Sequence, residues 1–173
     1  MSAVSDDFEL SSKAAQGDRR AFSTLVRRHE ARIRAFLVRT AGRDAADDLA
    51  QETFLRAWRN AGRFRGTGSY ASWLLAIAWH VFLDASKRQR AELGRRRVLD
   101  SAPASSAGDP LAKMDVERLM AALDPEERAC LALCLGQGCS HGEAAEILGV
   151  PLGTLKSRVA RATAKCRALM DAK

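Results

Sequence analysis

The sequence predicts an all-α chain: two small helical domains joined by a flexible linker. Apolar residues recur at i, i+3 and i+4 in one segment after another. No alternating Val/Ile/Thr run and no Asn-Gly hairpin turn marks a strand. Helix start and stop residues stand where the periodic segments begin and end.

Taken in order, Phe22, Leu25 and Val26, then Ile33, Phe36 and Leu37, keep the rhythm of one buried face. Asp44 precedes Ala45 and Ala46, and Asp47 falls in the first turn, where carboxylates suit the positive end of a helix. Phe54, Ala57, Trp58 and Ala61 form the apolar side of that second segment. Trp73, Leu74, Ile77, Ala78 and Val81 form a third, wider and almost wholly apolar, which reads as a buried helix. Residues 98–111, VLDSAPASSAGDPL, are dominated by Ala, Ser, Pro and Gly and offer no apolar face. The expected division is a domain at 8–92, a flexible linker at 93–112 and a second domain at 113–171. In the second domain Asp124-Pro125-Glu126-Glu127 combines an Asp cap, Pro at the first helical position and Glu at the third. Ser140-His141-Gly142-Glu143 is a capping box, and Gly149 terminates the short helix it opens. Leu155, Val159, Ala162, Cys166 and Leu169 make a final stripe for packing.

At 173 residues, 47% hydrophobic and 28% charged, the chain is globular and not disordered. Its 28 Lys and Arg against 21 Asp and Glu leave +7, which favours polyanions, nucleic acid first and acidic protein surfaces second. Residues 1–90 carry 16 basic and 10 acidic side chains; residues 116–173 carry eight and seven. Within that weakly charged domain, Thr154 to Arg167 holds five basic residues and no acid, so this helix is the one expected to touch phosphate. The longest near-apolar run, Trp73 to Leu83, is interrupted by His80 and falls short of the roughly 20 residues of a membrane span. Met1 to Leu10 is acidic, without a basic or apolar leader region. A cytoplasmic chain with reduced thiols and no membrane insertion is expected.

Glu143 to Leu148, the turn Gly149-Val150-Pro151 and the helix from Leu152 form a helix-turn-helix pattern. Ala144 and Ala145 allow close approach, and Pro151 forbids one continuous helix. Leu155, Val159, Ala162 and Cys166 look inward, while Lys156, Ser157, Arg158 and Arg161 are expected to project outward near the N-terminal end that enters a major groove. Thr154 and nearby backbone amides can bond phosphate. A merely solvated basic face is the bland alternative.

On the helix from Asp47 to Arg59, Asp48, Gln51, Glu52, Leu55 and Arg59 present a polar surface that also exposes a large aliphatic residue. A protein interface and a solvated face both fit that pattern. The run Phe64 to Leu74 is a Gly-rich loop entering a helix. It brings Tyr70, Trp73 and Trp79 near Arg63, Arg65, Lys87, Arg88 and Arg90. Aromatics interleaved with positive charge hold unstacked bases, and aromatics in this setting also serve as core.

The stretch Leu123 to Arg128, and then Ser140 to Arg158 with Gly153-Thr154-Leu155-Lys156-Ser157-Arg158 its most specific run, resembles region four of bacterial extracytoplasmic-function (ECF) sigma factors. The run Asp47 to Arg59 is similar to region two of that family, and Phe64-Arg65, Trp73-Leu74, Ile77-Ala78 and Asp84 match its segment that melts DNA. The resemblance implies a non-enzymatic promoter-recognition subunit of RNA polymerase that needs no cofactor. Asp48, Gln51, Glu52, Leu55 and Arg59 become contacts to the beta-prime clamp helices, with Phe54 and Trp58 as core. The beta flap is a further implied polymerase contact. Arg65, Tyr70, Trp73, Trp79, His80, Lys87 and Arg88 become minus-ten contacts, where a flipped base is captured. Thr154, Lys156, Ser157, Arg158 and Arg161 become minus-thirty-five contacts. Trp79-His80 departs from the Arg-Asn or similar pair usual in the family, which bears on the bases read. An anti-sigma factor, often membrane-bound, is the implied regulator.

Cys130, Cys134, Cys139 and His141 are spaced as C-x3-C-x4-C-x-H. They can ligate zinc in principle, but the two-residue spacing typical of zinc sites is missing, and Cys among leucines on a helix is a small apolar filler. No metal site is expected. His29, among Arg27, Arg28, Glu30 and Arg32, reads as solvated. No Ser/His/Asp elbow, Walker loop or HExxH occurs. A stand-alone helix-turn-helix regulator would leave the Asp48–Arg59 helix and the aromatic loop without a task, and a metal-sensing regulator would use the Cys/His group.

Overall fold

The computed structural model describes residues 3–97 and 119–171, with side chains described at 6–93 and 119–171; the Ala/Ser/Pro/Gly stretch expected as linker lies outside the described residues. All regular structure among the described residues is helical. The N-terminal half holds α1 (Ala3–Ala15), α2 (Arg19–Ala41), α3 (Arg43–Arg59), a 3-10 turn (Ala61–Arg63) and α4 (Tyr70–Arg97). The C-terminal half holds α5 (Pro125–Leu131), a π-helical turn (Ala132–Gly136), α6 (His141–Leu148) and α7 (Leu152–Asp171). α4 therefore continues through Arg97, into the stretch expected as linker.

Local signals set most boundaries. Asp18 caps α2 by accepting from the backbone N–H groups of Arg20 and Ala21. α3 follows directly on Gly42 with no side-chain cap, and Asp44, expected to open this helix, lies inside its first turn. Asp124 with Glu127, and Ser140 with Glu143, form full capping boxes that satisfy otherwise orphaned amides. Gly149 ends α6 in the left-handed conformation.

α1 is anchored by polar bonds as well as packing. Asp7, buried, accepts from Arg28 at 2.9 Å and bonds Nε2 of His29 at 2.8 Å. Ser11 donates to the carbonyl of Ala61 at 3.2 Å. His29 is thus not a solvated residue: it is held between Asp7 and the ring of Tyr70, 5.4 Å away.

One hydrophobic core runs through both halves. Leu25, Ile33, Phe36 and Leu37 of α2 and Leu74, Leu75, Ala78 and Phe82 of α4 belong to the same cluster as Cys130, Leu133, Cys139, Ala144, Leu148 and Leu155. α5 and the π-helical turn sit on α2, and α6 sits on α4. The two halves are therefore packed together, where a loosely tethered pair was expected. The reason lies in α4: its apolar surface wraps too far round the helix for α2 and α3 to cover, and α6 covers the remainder.

A polar clasp sits at this seam. Arg32 donates from Nε to the side-chain oxygen of Gln137 at 3.1 Å and from Nη2 to its backbone oxygen at 2.9 Å. Gln137 returns a bond from Nε2 to the carbonyl of Arg32 at 3.4 Å. Nearby, the Arg39 guanidinium lies over Gly136, close enough that an added Cβ would stand 3.2 Å from Nη1. Arg32→Ala should weaken the attachment of the halves by about 1–3 kcal/mol. Small-angle scattering should then report a radius of gyration above the roughly 16 Å of a compact chain of this length; an unchanged radius would show the apolar seam suffices alone.

Candidate nucleic-acid and partner interfaces

The outer face of α3 is built by its register. Ala46, Thr53 and Ala57 are buried, so Asp48, Gln51, Leu55 and Arg59 stand on the solvent side. Leu55 is 44% exposed, an apolar group flanked by polar ones. Glu52, half-buried beside that face, accepts from Arg56 at 2.8 Å. Phe54 and Trp58, expected as core, are half-buried; Trp58 meets Phe22 edge-on at 5.0 Å.

Between α3 and α4 lies a cleft of about 420 Å³ lined by Arg56, Asn60, Arg63, Trp73, Ala76, Ile77 and His80. On α4 the residues Trp73, Ile77, His80, Asp84 and Lys87 recur at helical spacing and share this side. Arg56 bridges Glu52 and Asp84, donating to Asp84 at 2.7 Å, and holds the Asp84 carboxyl below the usual carboxylate range. Behind Trp73 lies an aromatic cluster. Tyr70 stands 5.0 Å from Phe64, edge-on, and 5.3 Å from Trp73. The bordering loop is pinned from outside: Gly66, at φ 73, leaves room for Phe8, whose ring an added Cβ would meet at 2.8 Å.

This geometry corrects two expected base contacts. Tyr70 is 1% exposed and Trp79 4% exposed, so neither offers a ring to a base. Tyr70 is the centre of the aromatic cluster, against His29, Phe64 and Trp73. Trp79 stands about 100° round the helix from His80, away from the cleft, and stacks on Phe82 at 5.4 Å. Trp73 is half-buried with an edge on the cleft, and Arg65, His80, Lys87 and Arg88 are exposed. Arg56 and Asn60 were not expected in this wall. The Glu52/Arg56 spacing was readable in the sequence, but the tie to Asp84 across helices was not.

α6 and α7 meet across Gly149-Val150-Pro151, as the turn residues require. Leu155 and Ala162 are buried, and Lys156 and Ser157 are exposed. Ser157 donates to the carbonyl of Thr154 at 2.9 Å, and Thr154 itself is half-buried. Arg158 is a correction: it turns back to pair with Glu126 and does not project outward. Its position explains this, since it lies three residues after Leu155 and four before Ala162, at the edge of the inward stripe. Arg161 remains exposed, 3.8 Å from Glu127. Glu127 is 1% exposed and also accepts from Lys165 at 2.7 Å, so a buried carboxylate pins α5 to α7.

The family described as Sigma-70 region 2 matches residues 25–92, and that described as Sigma-70, region 4 matches residues 113–166. The ECF RNA polymerase sigma factor SigC of Mycobacterium tuberculosis is 35% identical over 172 residues, covering 94% of this chain and 92% of the relative. SigM of the same species is 35% identical over 173 residues, covering 95% and 84%. The chain belongs to the ECF sigma factors. Among solved structures, it resembles CnrH in complex with the cytosolic domain of CnrY, with a TM-score of 0.71 and 29% identity over 97% of this chain and 99% of that one. It also resembles the sigma factor RpoE in complex with the anti-sigma factor NepR from Bartonella quintana, with a TM-score of 0.75 and 25% identity over 87% and 96%.

As a member of that family the sigma factor binds core RNA polymerase and promoter DNA in transcription initiation. No helix among its described residues is long and apolar enough to cross a membrane. Its cysteines are packing groups. Cys130 and Cys139 are buried, His141 is exposed, and no group of three or more His, Cys, Asp or Glu among the described residues could hold a metal ion. Burial pushes the Cys130 thiol up to about 11, and it raises Cys134 and Cys139 as well. In the native sigma factor at pH 7.5, an aromatic disulfide reagent should label Cys134 and Cys166 first. Peptide mapping should find Cys130 and Cys139 labelled only in denaturant; their early labelling would contradict the packing.

Proposed function

We propose that this ECF sigma factor grips polymerase through the outer face of α3, holds an unstacked minus-ten base in the α3–α4 cleft, and reads the minus-thirty-five element with the N-terminal turns of α7. The exposed Leu55 on an otherwise polar face carries the first assignment: an isolated aliphatic side chain ringed by Asp48, Gln51 and Arg59 suits the core of a small interface with a charged rim. The cleft supports the second, with Trp73 and Ile77 as apolar walls and Arg63 as a cation at its edge. Lys156 and Ser157 support the third, being the exposed groups at the end of α7 that a major groove would receive.

The packed arrangement is the resting form. The two promoter elements lie roughly 25 base pairs apart, about 85 Å of duplex at 3.4 Å per base pair. A compact chain of this length, with a radius of gyration of about 16 Å, cannot bridge that span. The halves separate on polymerase, which fixes them at the working distance and makes the second contact effectively intramolecular. CnrH and RpoE were solved with CnrY and the anti-sigma factor NepR, and this chain likewise operates in the cytoplasm under an anti-sigma factor that covers its polymerase-binding surfaces.

Run-off transcription with purified core polymerase tests the assignment. Adding the chain should create initiation at a specific promoter, and Leu55→Asp should cut output more than tenfold, by at least about 1.4 kcal/mol of interface energy; full activity of that variant would remove α3 from the interface. Lys156→Ala should weaken holoenzyme binding to upstream duplex DNA and reduce the salt slope by about one, leaving polymerase association unchanged. An unaltered slope would show that Lys156 touches no phosphate.

A further inference from the structure

A second cavity lies on the seam between the halves and shares no residue with the α3–α4 cleft. It holds about 320 Å³. Leu119 and Met120, shortly before α5, and Leu131 and Leu135, at and just past its end, supply apolar walls. Thr163 and Cys166 face it from α7. α2 contributes Arg39, the one charged group in the lining. The apolar walls thus belong to the C-terminal half and the cation to the N-terminal half. Leu135 is 76% exposed, so the chain itself leaves apolar surface uncovered here.

Arg39 is held in place without being neutralised. Its guanidinium lies over Gly136, where the missing Cβ leaves it room. Nη1 donates to the carbonyl oxygen of Ala35 at a long 3.5 Å, and among the described residues Arg39 makes no ion pair. Most of its N–H groups remain available in the fork geometry that suits a carboxylate. One guanidinium balances one negative charge. A phosphate monoester would bring a second charge and leave it against apolar walls, which is costly.

From this we infer that the seam cavity binds an amphiphilic monocarboxylate, with its alkyl tail among Leu119, Met120, Leu131 and Leu135 and its head on Arg39. The volume stands near the lower end of the roughly 300–1,000 Å³ of small-molecule sites, which suits a tail of medium length such as that of decanoate. Because tail seat and head cation belong to different halves, the complete site exists only while they are packed together. A ligand that binds one state shifts the population toward it. An acid bound here therefore holds the halves together and withdraws the chain from polymerase. That consequence, unlike the site itself, rests on the reading of the packed form as the resting form.

Titrating the full chain with sodium decanoate, below its micelle concentration, should show saturable binding. Acetate, the head without the tail, should not bind. Decanol, the same tail without the charge, should bind about tenfold more weakly than decanoate. Arg39→Gln should weaken decanoate binding about tenfold and leave decanol binding unchanged, which shows the cavity intact in the variant. Saturation with decanoate should slow labelling of Cys166 by an aromatic disulfide reagent about tenfold, while Cys134, which does not line the cavity, keeps its rate. In run-off transcription decanoate should suppress output from the wild-type chain and spare Arg39→Gln. The site is overturned if decanoate binding does not saturate, if Arg39→Gln binds decanoate as tightly as the wild type, or if Cys166 stays equally reactive. Decanoate that binds and protects Cys166 but leaves run-off output unchanged would overturn the regulatory consequence and, with it, the resting-form reading.

Discussion

The circumference of α4 governs the molecule. A helix apolar on one side needs one partner; α4 is apolar round most of its middle turns and needs several. Leu74 and Ala78 go into the core of the N-terminal half, and Leu75, Trp79 and Phe82 extend the buried surface round the helix, in a core shared with α6. Only the side carrying Trp73, Ile77 and His80 is left toward the cleft. The cleft is therefore the part of α4 that remains once packing has been satisfied. Its chemistry comes from the few polar groups that side carries.

Charge placement follows the same logic in the C-terminal half. A buried carboxylate is costly unless it is paired and fully hydrogen-bonded. Glu127 meets that condition twice, bonding the Asp124 amide in its capping box and Lys165 on α7. Glu126 binds Arg158 in the same seam. The basic character of α7 is thereby divided: its inner cations brace α5, and Lys156, at the exposed end, stays outside this network. A count of positive charges along the helix overstates what is available to phosphate.

The all-α class, the helix starts at Asp124 and Ser140, the stop at Gly149 and the outer face of α3 were legible in the sequence. Each depends on residues within a turn or two of one another. The union of the halves was half legible: the width of the apolar run Trp73 to Val81 was visible, but what would cover it was not. Arg32 with Gln137, Asp7 with His29, and Arg56 with Asp84 join residues distant in sequence, and no local pattern announces them. Trp79 and Tyr70 misled for a related reason. An aromatic residue beside basic ones reads alike whether it faces a base or a core, and the deciding fact is its angle round the helix. Arg158 could have been placed correctly from its spacing to Leu155 and Ala162.

The seat that Gly66 provides for Phe8 makes the first helix a structural support for the loop beside the cleft. A loop of small residues would otherwise have to lose its conformational freedom at the moment a ligand arrived, and that entropy would be subtracted from affinity. With the Phe8 ring wedged against it, the ordering is completed during folding, and any ligand of the cleft would meet a preformed neighbour.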